Sequence, residues 1–347
     1  MKILFVDSNT HLKTLDDLKT QARGGMVSSL LIVTDGLSRK GHDVHVWGND
    51  FDAVSDSGVT WHKKPTVTNA DAIVFNRGLG SGEPALGTGK RFLWTHDLPH
   101  AGHVKDHKFL NMLTCMVSMS RFGDRIWRDM FDYKGRSVII PNGVNKDLFK
   151  PSEIKDPKYL IYASAPNRGL WRLPLIFDAI KNHVPGVRMR AYSNMKTLHP
   201  GEAKENEANY ELDYGSCEEA GIERLDPIPQ HELAEELGCA GLMILPTNYP
   251  EICSNAILQS LSCGTPVITA GSIGSAPEWL RHKKNSILTT YQARDYMVFQ
   301  RQIIKGAVSV LSHRPTHLRM MKEAAKTKIL SWGAVIEKWD AMVRRYC

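Results

Sequence analysis

Two stretches near the N-terminus decide the fold: KILFV at residues 2–6 and GGMVSSLLIVTDGLSRKGHDVHVW at residues 24–47. The first is a short apolar run, which is typical of a parallel strand buried on both faces. In the second, apolar residues recur at helical spacing from Met26 to Leu37, Gly41 ends the helix, and VHVW is the next strand. A strand, a glycine-bearing loop, a helix and a strand in this order predict a βαβ unit.

The same alternation continues along the rest of the chain. Further strand-like runs end near residues 75, 94, 118 and 140, and a second series begins at residue 159. Residues 150–158, between the two series, are polar and contain two prolines, which is typical of a domain linker. The pattern predicts an α/β protein with two Rossmann-like doubly wound domains, residues 1–150 and 151–334. The polar segment 202–214 is expected to be a surface excursion, and the chain is expected to be helical from residue 316 onward.

The composition is that of an ordinary globular protein, with 42% hydrophobic and 23% charged residues among 347. No apolar run approaches the length that spans a bilayer, and the first run meets Asp7 too early to be a signal-peptide core. The six cysteines show neither a CxxC pair nor zinc-finger spacing, which favours reduced thiols. We therefore expect a cytoplasmic protein.

The net charge is +7 and the sequence pI is near 9.0. A basic surface favours contact with an anionic partner, such as a nucleotide, an acidic membrane face or nucleic acid. The excess is modest for this length, so a basic surface without a specific partner explains it equally well.

Doubly wound folds bind ligands beyond the carboxyl ends of their strands, so the loops there are the candidate sites. Gly24 and Gly25 open the first helix, where glycine allows close approach to the backbone and the helix N-terminus attracts anions. A plain turn is the alternative, and the dinucleotide fingerprint GxGxxG is absent. The sequence GTGK at 87–90 is predicted to be a loop and not a P-loop, because Pro84 replaces the first glycine and Arg91 the Ser/Thr.

His96 follows a strand directly, where it is placed to hydrogen-bond a sugar hydroxyl or a phosphate. Three more histidines follow, at positions 100, 103 and 107. Pro99 breaks the local geometry and no carboxylate pattern completes the set, so we expect no metal site here.

Two loops of the second domain carry charged side chains. SAPNRGL at 164–170 follows the first strand and places the guanidinium of Arg168 at a helix start, which suits a diphosphate; a surface arginine that caps a loop is the alternative. PTNYPEICSN at 246–255 follows a buried strand and opens a helix whose first N–H groups point at any phosphate. Glu251 precedes this helix and Gln259 lies two turns along it, so both are expected to face one cleft. Alternatively, Glu251 merely complements the helix dipole.

In their order and spacing these loops resemble the retaining glycosyltransferases of family four, which have the GT-B fold. The likeness covers nearly the whole chain and includes PNGVN at 141–145 and SCGTPV at 262–267. Ser331, Trp332 and the helix that follows resemble the closing helix of that family, which crosses back onto the first domain. The resemblance thus implies that residues 335–347 complete an N-terminal acceptor domain and that 151–334 bind a nucleotide-sugar donor.

The resemblance also implies roles for individual residues. Gly24 and Gly25 would lie near the donor diphosphate, and His96 would hydrogen-bond the transferred sugar. Arg168 stands where the family has a lysine on the diphosphate. The arginine that usually accompanies it is replaced by Ser164 or Ala165. Arg172 is then a candidate to help.

The paired glutamates of the family stand eight positions apart. Glu251 matches the first, which is expected on hydroxyl groups of the donor sugar. The second, expected on the ribose, is Gln259, which still donates and accepts but lowers donor affinity by about 1–2 kcal/mol. The backbone amides expected at the leaving diphosphate are those of Ile252, Cys253, Ser254 and Asn255.

The implied reaction is a transfer with retention that uses a nucleotide diphosphate sugar as co-substrate, with no metal and no other cofactor. Catalysis would rest on positioning and on stabilising the leaving charge. The acceptor stays open between a glycan, a lipid-linked glycan and a modified DNA base. The positive charge also fits peripheral contact with an anionic membrane.

Two other classes of protein remain as alternatives. A sugar-nucleotide epimerase of the same fold would need acid–base carboxylates around the sugar, and only Glu251 is well placed. A catalytically degenerate protein that binds a nucleotide sugar is favoured slightly by Gln259 and by the missing arginine.

Overall fold

We describe a computed structural model, which covers residues 1–7, 17–48, 52–64, 66–67, 69–78, 87–100, 104, 107–195 and 207–347. These residues form two sheets with helices packed against them. The predicted α/β class with two doubly wound, mostly parallel sheets is confirmed.

The first sheet has the strand order β3-β4-β2-β1-β5-β6-β7-β8. Its neighbouring strands are parallel except β3, which pairs antiparallel with β4 at the edge. Its strands are β1 Lys2–Val6, β2 Asp43–Trp47, β3 Ala53–Val54, β4 Thr60–His62, β5 Asn69–Asn76, β6 Thr88–Thr95, β7 Cys115–Ser118 and β8 Ser137–Ile139.

The second sheet is parallel throughout, in the order β11-β10-β9-β12-β13-β14. Its strands are β9 Asp156–Ala163, β10 Arg188–Tyr192, β11 Glu223–Leu225, β12 Ala240–Leu245, β13 Val267–Ala270 and β14 Ser286–Thr289.

The helices that follow these strands cover both sheets. Those with described bounds are α1 Asp17–Thr20, α2 Gly25–Arg39, α3 His107–Leu110, α4 Arg121–Phe131, α5 Leu173–His183, α6 Glu211–Glu219, α7 Gln230–Cys239, α8 Asn255–Ser262, α9 Tyr296–Leu311, α10 Arg314–Ala325 and α11 Trp332–Tyr346. In this part of the chain, no helix is both long and apolar enough to cross a membrane. All six cysteines are free, as their spacing predicts.

The first βαβ unit forms as the sequence predicts. β1 lies between β2 and β5, and its residues Ile3 and Phe5 are fully buried. α2 buries its apolar side, and Gly41 follows its end with φ of +85°, a conformation that glycine adopts at little cost. The N-terminus of α2 therefore lies at the carboxyl edge of the first sheet.

The closing helix α11 crosses back onto the first domain, as the resemblance implied. Trp339 is fully buried, with its ring centroid 4.7 Å from that of Trp94 and 6.1 Å from that of Phe5 in the first sheet. α11 approaches α2 closely at Gly36, where a Cβ would lie 2.3 Å from Ile336 Cδ1.

Asp340 fixes the outer side of α11 to the first domain. Its Oδ1 lies 2.7 Å from His42 Nε2 and accepts a 2.7 Å hydrogen bond from Arg344 Nε. Lys40 Nζ is 3.3 Å from the other carboxylate oxygen. Burial acts to raise the pKa of Asp340, but the hydrogen bonds from these three side chains outweigh it and lower the pKa to about 2.

Three sequence expectations need correction. β9 already begins at Asp156, inside the predicted linker, because Pro157 lies at the strand start where the register with β12 shifts. Thr88 to Lys90, predicted to be loop, belong to β6, since Gly89 lets the strand pass close to Ala70, whose carbonyl oxygen would lie 2.3 Å from a Cβ there. Much of the expected excursion 202–214 lies outside the described residues, and from Glu211 the chain is helix α6.

Candidate active site

Three hydrogen-bonded polar side chains connect the N-terminus of α2 in the first domain to the N-terminus of α8 in the second domain. Ser29 Oγ donates to Asn142 Oδ1 at 2.9 Å, and Asn142 Nδ2 donates to Asn255 Oδ1 at 2.8 Å. A Cβ on Gly25 would lie 2.5 Å from Asn255 Nδ2. The close approach of the two domains thus requires the small residue that the sequence places there, and Gly24 is the N-cap of α2 beside it.

The N-terminus of α8 keeps backbone donors free of side-chain caps. Ser254 is its N-cap residue, yet its side chain accepts no hydrogen bond from the residues that the structure describes. The first intrahelical bond runs from Leu258 N to Ser254 O, so the earlier amides have no partner within the helix. Such an end is a ready site for an anion.

The two residues before this end are buried. Ile252 is 2% exposed and packs across the domains, where a Cβ on Gly123 would lie 2.9 Å from its Cγ2. Burial raises the pKa of the Cys253 thiol to about 12, so this thiol is neutral. Their side chains therefore serve packing, and only their backbone groups fit the predicted role.

Arg168 is placed by a tight turn after β9. Pro166–Arg168 is a short 3₁₀ helix that ends at Gly169, with φ of +98°. A Cβ on Gly169 would lie 2.2 Å from the carbonyl oxygen of Pro246, at the end of the neighbouring strand β12. Glycine is required both by this conformation and by the contact.

The guanidinium of Arg168 meets Glu251 at the carboxyl edge of the second sheet. Arg168 Nε donates to Glu251 Oε1 at 2.6 Å, and its Nη1 donates to Asn167 Oδ1 at 2.8 Å. The Arg168 Cζ lies 3.6 Å from the ring centroid of Tyr249. The side chains of Arg168 and Glu251 are 17% and 22% exposed, so both are held in place and remain accessible. Ser164 is half-buried in the same loop.

The backbone of Glu251 is fixed by the loop after β13. Ser275 N donates to Glu251 O at 2.8 Å, and a Cβ on Gly274 would lie 2.8 Å from Glu251 N. Since Ser254 is the N-cap and the Glu251 carboxylate binds Arg168, helix capping alone does not account for Glu251. Gln259 is half-buried on α8, and its side chain hydrogen-bonds to none of the described residues.

Arg172 lies beneath the loop and not at its surface. It is 2% exposed, its guanidinium stacks 4.0 Å from the ring centroid of Trp171, and its Nη1 lies 3.4 Å from both Pro246 O and Asn248 Oδ1. Burial lowers the pKa of this arginine. Its predicted contact with a diphosphate would require this packing to open, so Arg168 is the better placed cation.

His96 faces the same region from the first domain. It is 7% exposed, and its ring centroid lies 4.3 Å from that of Trp94. Burial lowers its pKa to about 3, so the imidazole is neutral at physiological pH. Its Nε2 has no hydrogen-bond partner among the described residues. A neutral ring with an unused nitrogen suits a sugar hydroxyl better than it suits a phosphate.

No group of three or more His, Cys, Asp or Glu side chains within the described ranges could hold a metal ion. His103 and the side chain of His107, considered in the sequence as metal ligands, lie outside those ranges.

The sequence profile of the family described as glycosyl transferases group 1 matches residues 177–305, which run from α5 to α9. This segment of the second domain is similar to that family. The match confirms the glycosyltransferase resemblance. A search of curated proteins found no significant match to the chain.

Solved structures extend the likeness to the whole chain. The chain is similar to sucrose-phosphate synthase from Thermosynechococcus elongatus, at a TM-score of 0.76 and 14% identity over 99% of this chain and 98% of that one. It is also similar to HepE of Anabaena in complex with UDP and glucose (TM-score 0.68, 15% identity, 99% and 100% covered) and to a glycosyltransferase from Rickettsia africae (0.69, 14%, 99% and 98%). At these identities the likeness establishes the GT-B fold and no more.

Sequence reasoning overlooked three residues around the site. Asn142 was considered only as part of the PNGVN segment at 141–145, although its side chain links the two domains. Tyr249 lies inside the loop at 246–255. Its ring contacts the Arg168 guanidinium only because the turn at Pro166–Arg168 places that side chain there. Asn76 carried no signal beyond its position at the end of a predicted strand.

Proposed function

We propose that the chain transfers a sugar from a nucleotide diphosphate donor to a hydroxyl acceptor, with retention of anomeric configuration. One observation carries the proposal: Arg168 and Glu251 meet at 2.6 Å beside the uncapped N-terminus of α8, opposite the glycine-opened end of α2. An anion site and a hydroxyl-binding carboxylate within one cleft fit the two halves of such a donor.

The diphosphate would lie between Arg168 and the first amides of α8. Two nitrogen atoms of Arg168 are engaged by Glu251 and Asn167, while no described residue hydrogen-bonds to its Nη2. That nitrogen is free to bind a phosphate oxygen. Gly24 and Gly25 bring the α2 N-terminus to the opposite side, and Gln259 would receive the ribose. Both helix ends then stabilise the charge that develops as the nucleotide departs.

Glu251 and His96 would bind the transferred sugar from opposite domains. In the proposed reaction the bond from the anomeric carbon to the phosphate oxygen breaks, and the acceptor oxygen bonds to the same face of that carbon. The proton of the acceptor hydroxyl passes to the departing phosphate oxygen. The protein contributes positioning and electrostatic stabilisation, without a covalent intermediate.

The proposed reaction needs no divalent metal, because the cation at the diphosphate is Arg168. Activity should therefore survive exhaustive treatment with EDTA. Activity restored only by added magnesium or manganese would contradict this part of the proposal.

The donor can be found with a panel of nucleotide sugars in calorimetry, with turnover measured with and without candidate acceptors. A uridine donor is the first to test, since HepE was solved with UDP and glucose. Acceptors to test are glycans, lipid-linked glycans and DNA with modified bases, and anionic vesicles test peripheral membrane contact. Binding without turnover would favour the degenerate binding protein, and an epimerised donor without acceptor would favour the epimerase.

A further inference from the structure

Asn76 is the last residue of β5, at the carboxyl edge of the first sheet. Val74, two residues earlier, packs in the core that contains Phe5 and Trp94, and alternation along a strand turns Asn76 to this same face. Its register partner in β6 is Trp94, and His96 comes two residues later in that chain. Asn76 thus continues the apolar face at the point where it meets the cleft.

The side chain of Asn76 is buried without being satisfied. It is 4% exposed, and neither its Nδ2 nor its Oδ1 has a hydrogen-bond partner among the residues described. Buried amides normally have partners, and an unpaired one destabilises the fold. His96 Nε2, on the residue directly after the neighbouring strand β6, is also buried and has no hydrogen-bond partner among the described residues. Two polar side chains with unused groups therefore lie at the carboxyl ends of adjacent strands.

The chain is strained directly after Asn76. Arg77 has φ of +75°, which is uncommon for a residue with a side chain, and is held there by a backbone bond to Trp94 O at 2.9 Å. Its Nε donates to Asp97 Oδ2 at 2.8 Å. This turn directs the Arg77 side chain to its ion pair with Asp97. Asn76 and His96 are then the polar residues at the cleft end of this face.

We propose that Asn76 binds hydroxyl groups of a carbohydrate in the cleft, with its amide donating to one hydroxyl and accepting from another. This inference rests on the proposed function and names a positioning residue on the first sheet for it. An amide offers both hydrogen-bonding roles and no charge, which suits a neutral sugar and not a phosphate. The sugar is either the one transferred or the acceptor.

The first test is stability without any ligand. Asn76→Leu replaces the unpaired amide by an apolar group of similar shape, so we expect Tm to rise by about 2–4 °C. Asn76→Val serves if leucine overfills the site. The matched control is Thr34→Val, which removes a buried hydroxyl that donates to Leu30 O at 2.8 Å and should lower Tm. A lower Tm for both Asn76 variants would overturn the proposal.

The second test separates the two sources of sugar. Affinity is measured for ADP-, GDP- and UDP-glucose, each beside its nucleoside diphosphate, together with transfer and hydrolysis of the donor. A transferred sugar at Asn76 predicts about 10-fold weaker nucleotide-sugar binding in Asn76→Leu, with unchanged nucleoside diphosphate binding. An acceptor sugar predicts an acceptor KM about 10-fold higher in Asn76→Leu, with nucleotide-sugar binding unchanged.

A more stable Asn76→Leu with unchanged nucleotide-sugar affinity and unchanged acceptor KM would also overturn the proposal, since the amide would then bind no sugar. Failure of the proposed function shows differently: the wild-type chain would bind none of the nucleotides or turn none over, before any variant is made.

Discussion

Arg168 Nε and Glu251 Oε1 form a 2.6 Å hydrogen-bonded ion pair that joins the ends of two neighbouring strands, β9 and β12, at the cleft. In the proposed function, a diphosphate bound to Arg168 would bring the attached sugar next to the Glu251 carboxylate. The pair would then link recognition of the phosphate to recognition of the sugar.

Removal of the guanidinium should weaken nucleotide binding. Arg168→Ala loses the proposed phosphate contact, so we expect nucleoside diphosphate affinity to fall by about 1.5–3 kcal/mol in calorimetry. Arg188→Ala is the matched control, because Arg188 pairs with Asp156 at the far end of the same sheet. Unchanged affinity in Arg168→Ala would show that this residue does not bind the diphosphate.

Glu251 and Gln259 should affect different kinetic constants. In the proposed complex Glu251 lies at the sugar, so Glu251→Ala should lower kcat by about 100-fold. Gln259 would bind the ribose equally in ground and transition states, so Gln259→Ala should mainly raise the donor KM. Gln259→Glu restores the family residue and should be equal or better. Melting curves serve as control: normal kcat in Glu251→Ala, with about 1 kcal/mol lost in stability, would mean that the residue only stabilises the fold through its pair with Arg168.

The buried imidazole of His96 should make stability depend on pH. Burial lowers its folded pKa to about 3, from 6.5 in the unfolded chain, so unfolding takes up a proton between these values. Stability is therefore lost as pH falls through this window. Between pH 7 and 5 the wild type should lose about 1–2 kcal/mol more than His96→Gln, measured by urea unfolding. The exposed His183→Gln is the control, and parallel curves for wild type and His96→Gln would refute the burial argument.

Asp340 should stabilise the closing helix on the first domain. Asp340→Asn weakens charged hydrogen bonds to His42 and Arg344, so we expect a loss of about 1–3 kcal/mol in urea unfolding. Because its folded pKa is lowered to about 2 from 3.8, its contribution is complete above 3.8 and disappears as pH falls toward 2. Glu337→Gln, which breaks only an exposed pair with Lys40, should cost less than about 1 kcal/mol. Equal effects for the two variants would contradict this account of the helix.

Local patterns predicted much of the fold. Helix α8 begins at Asn255, at the end of the loop 246–255 that was predicted to open a helix. Helix α9 was missed, although Phe299, Ile303 and Ala307 recur at helical spacing and are buried. In the sequence, Gly306 disfavours a helix. In the fold, the missing side chain leaves room for Ile287, whose Cγ2 would lie 2.8 Å from a Cβ at this position.

The site was predictable as loops but not as contacts. Sequence spacing placed Glu251 and Arg168 at strand ends, yet their pairing depends on β9 and β12 being neighbours, which only the strand order decides. Arg172 was expected at the diphosphate because the arginine usual in the family is replaced by Ser164 or Ala165. Arg172 is buried against Trp171 because of the turn at Gly169, and no local sequence pattern predicts this burial.

The most direct test of the central claim is the anomeric configuration of the first product, followed by proton NMR with the α-linked nucleotide sugar that the donor panel identifies. Transfer with retention predicts that the α-linked product appears first and that its appearance matches the loss of donor. A β-linked first product would contradict the proposed geometry, in which the acceptor and the leaving diphosphate share one face of the sugar.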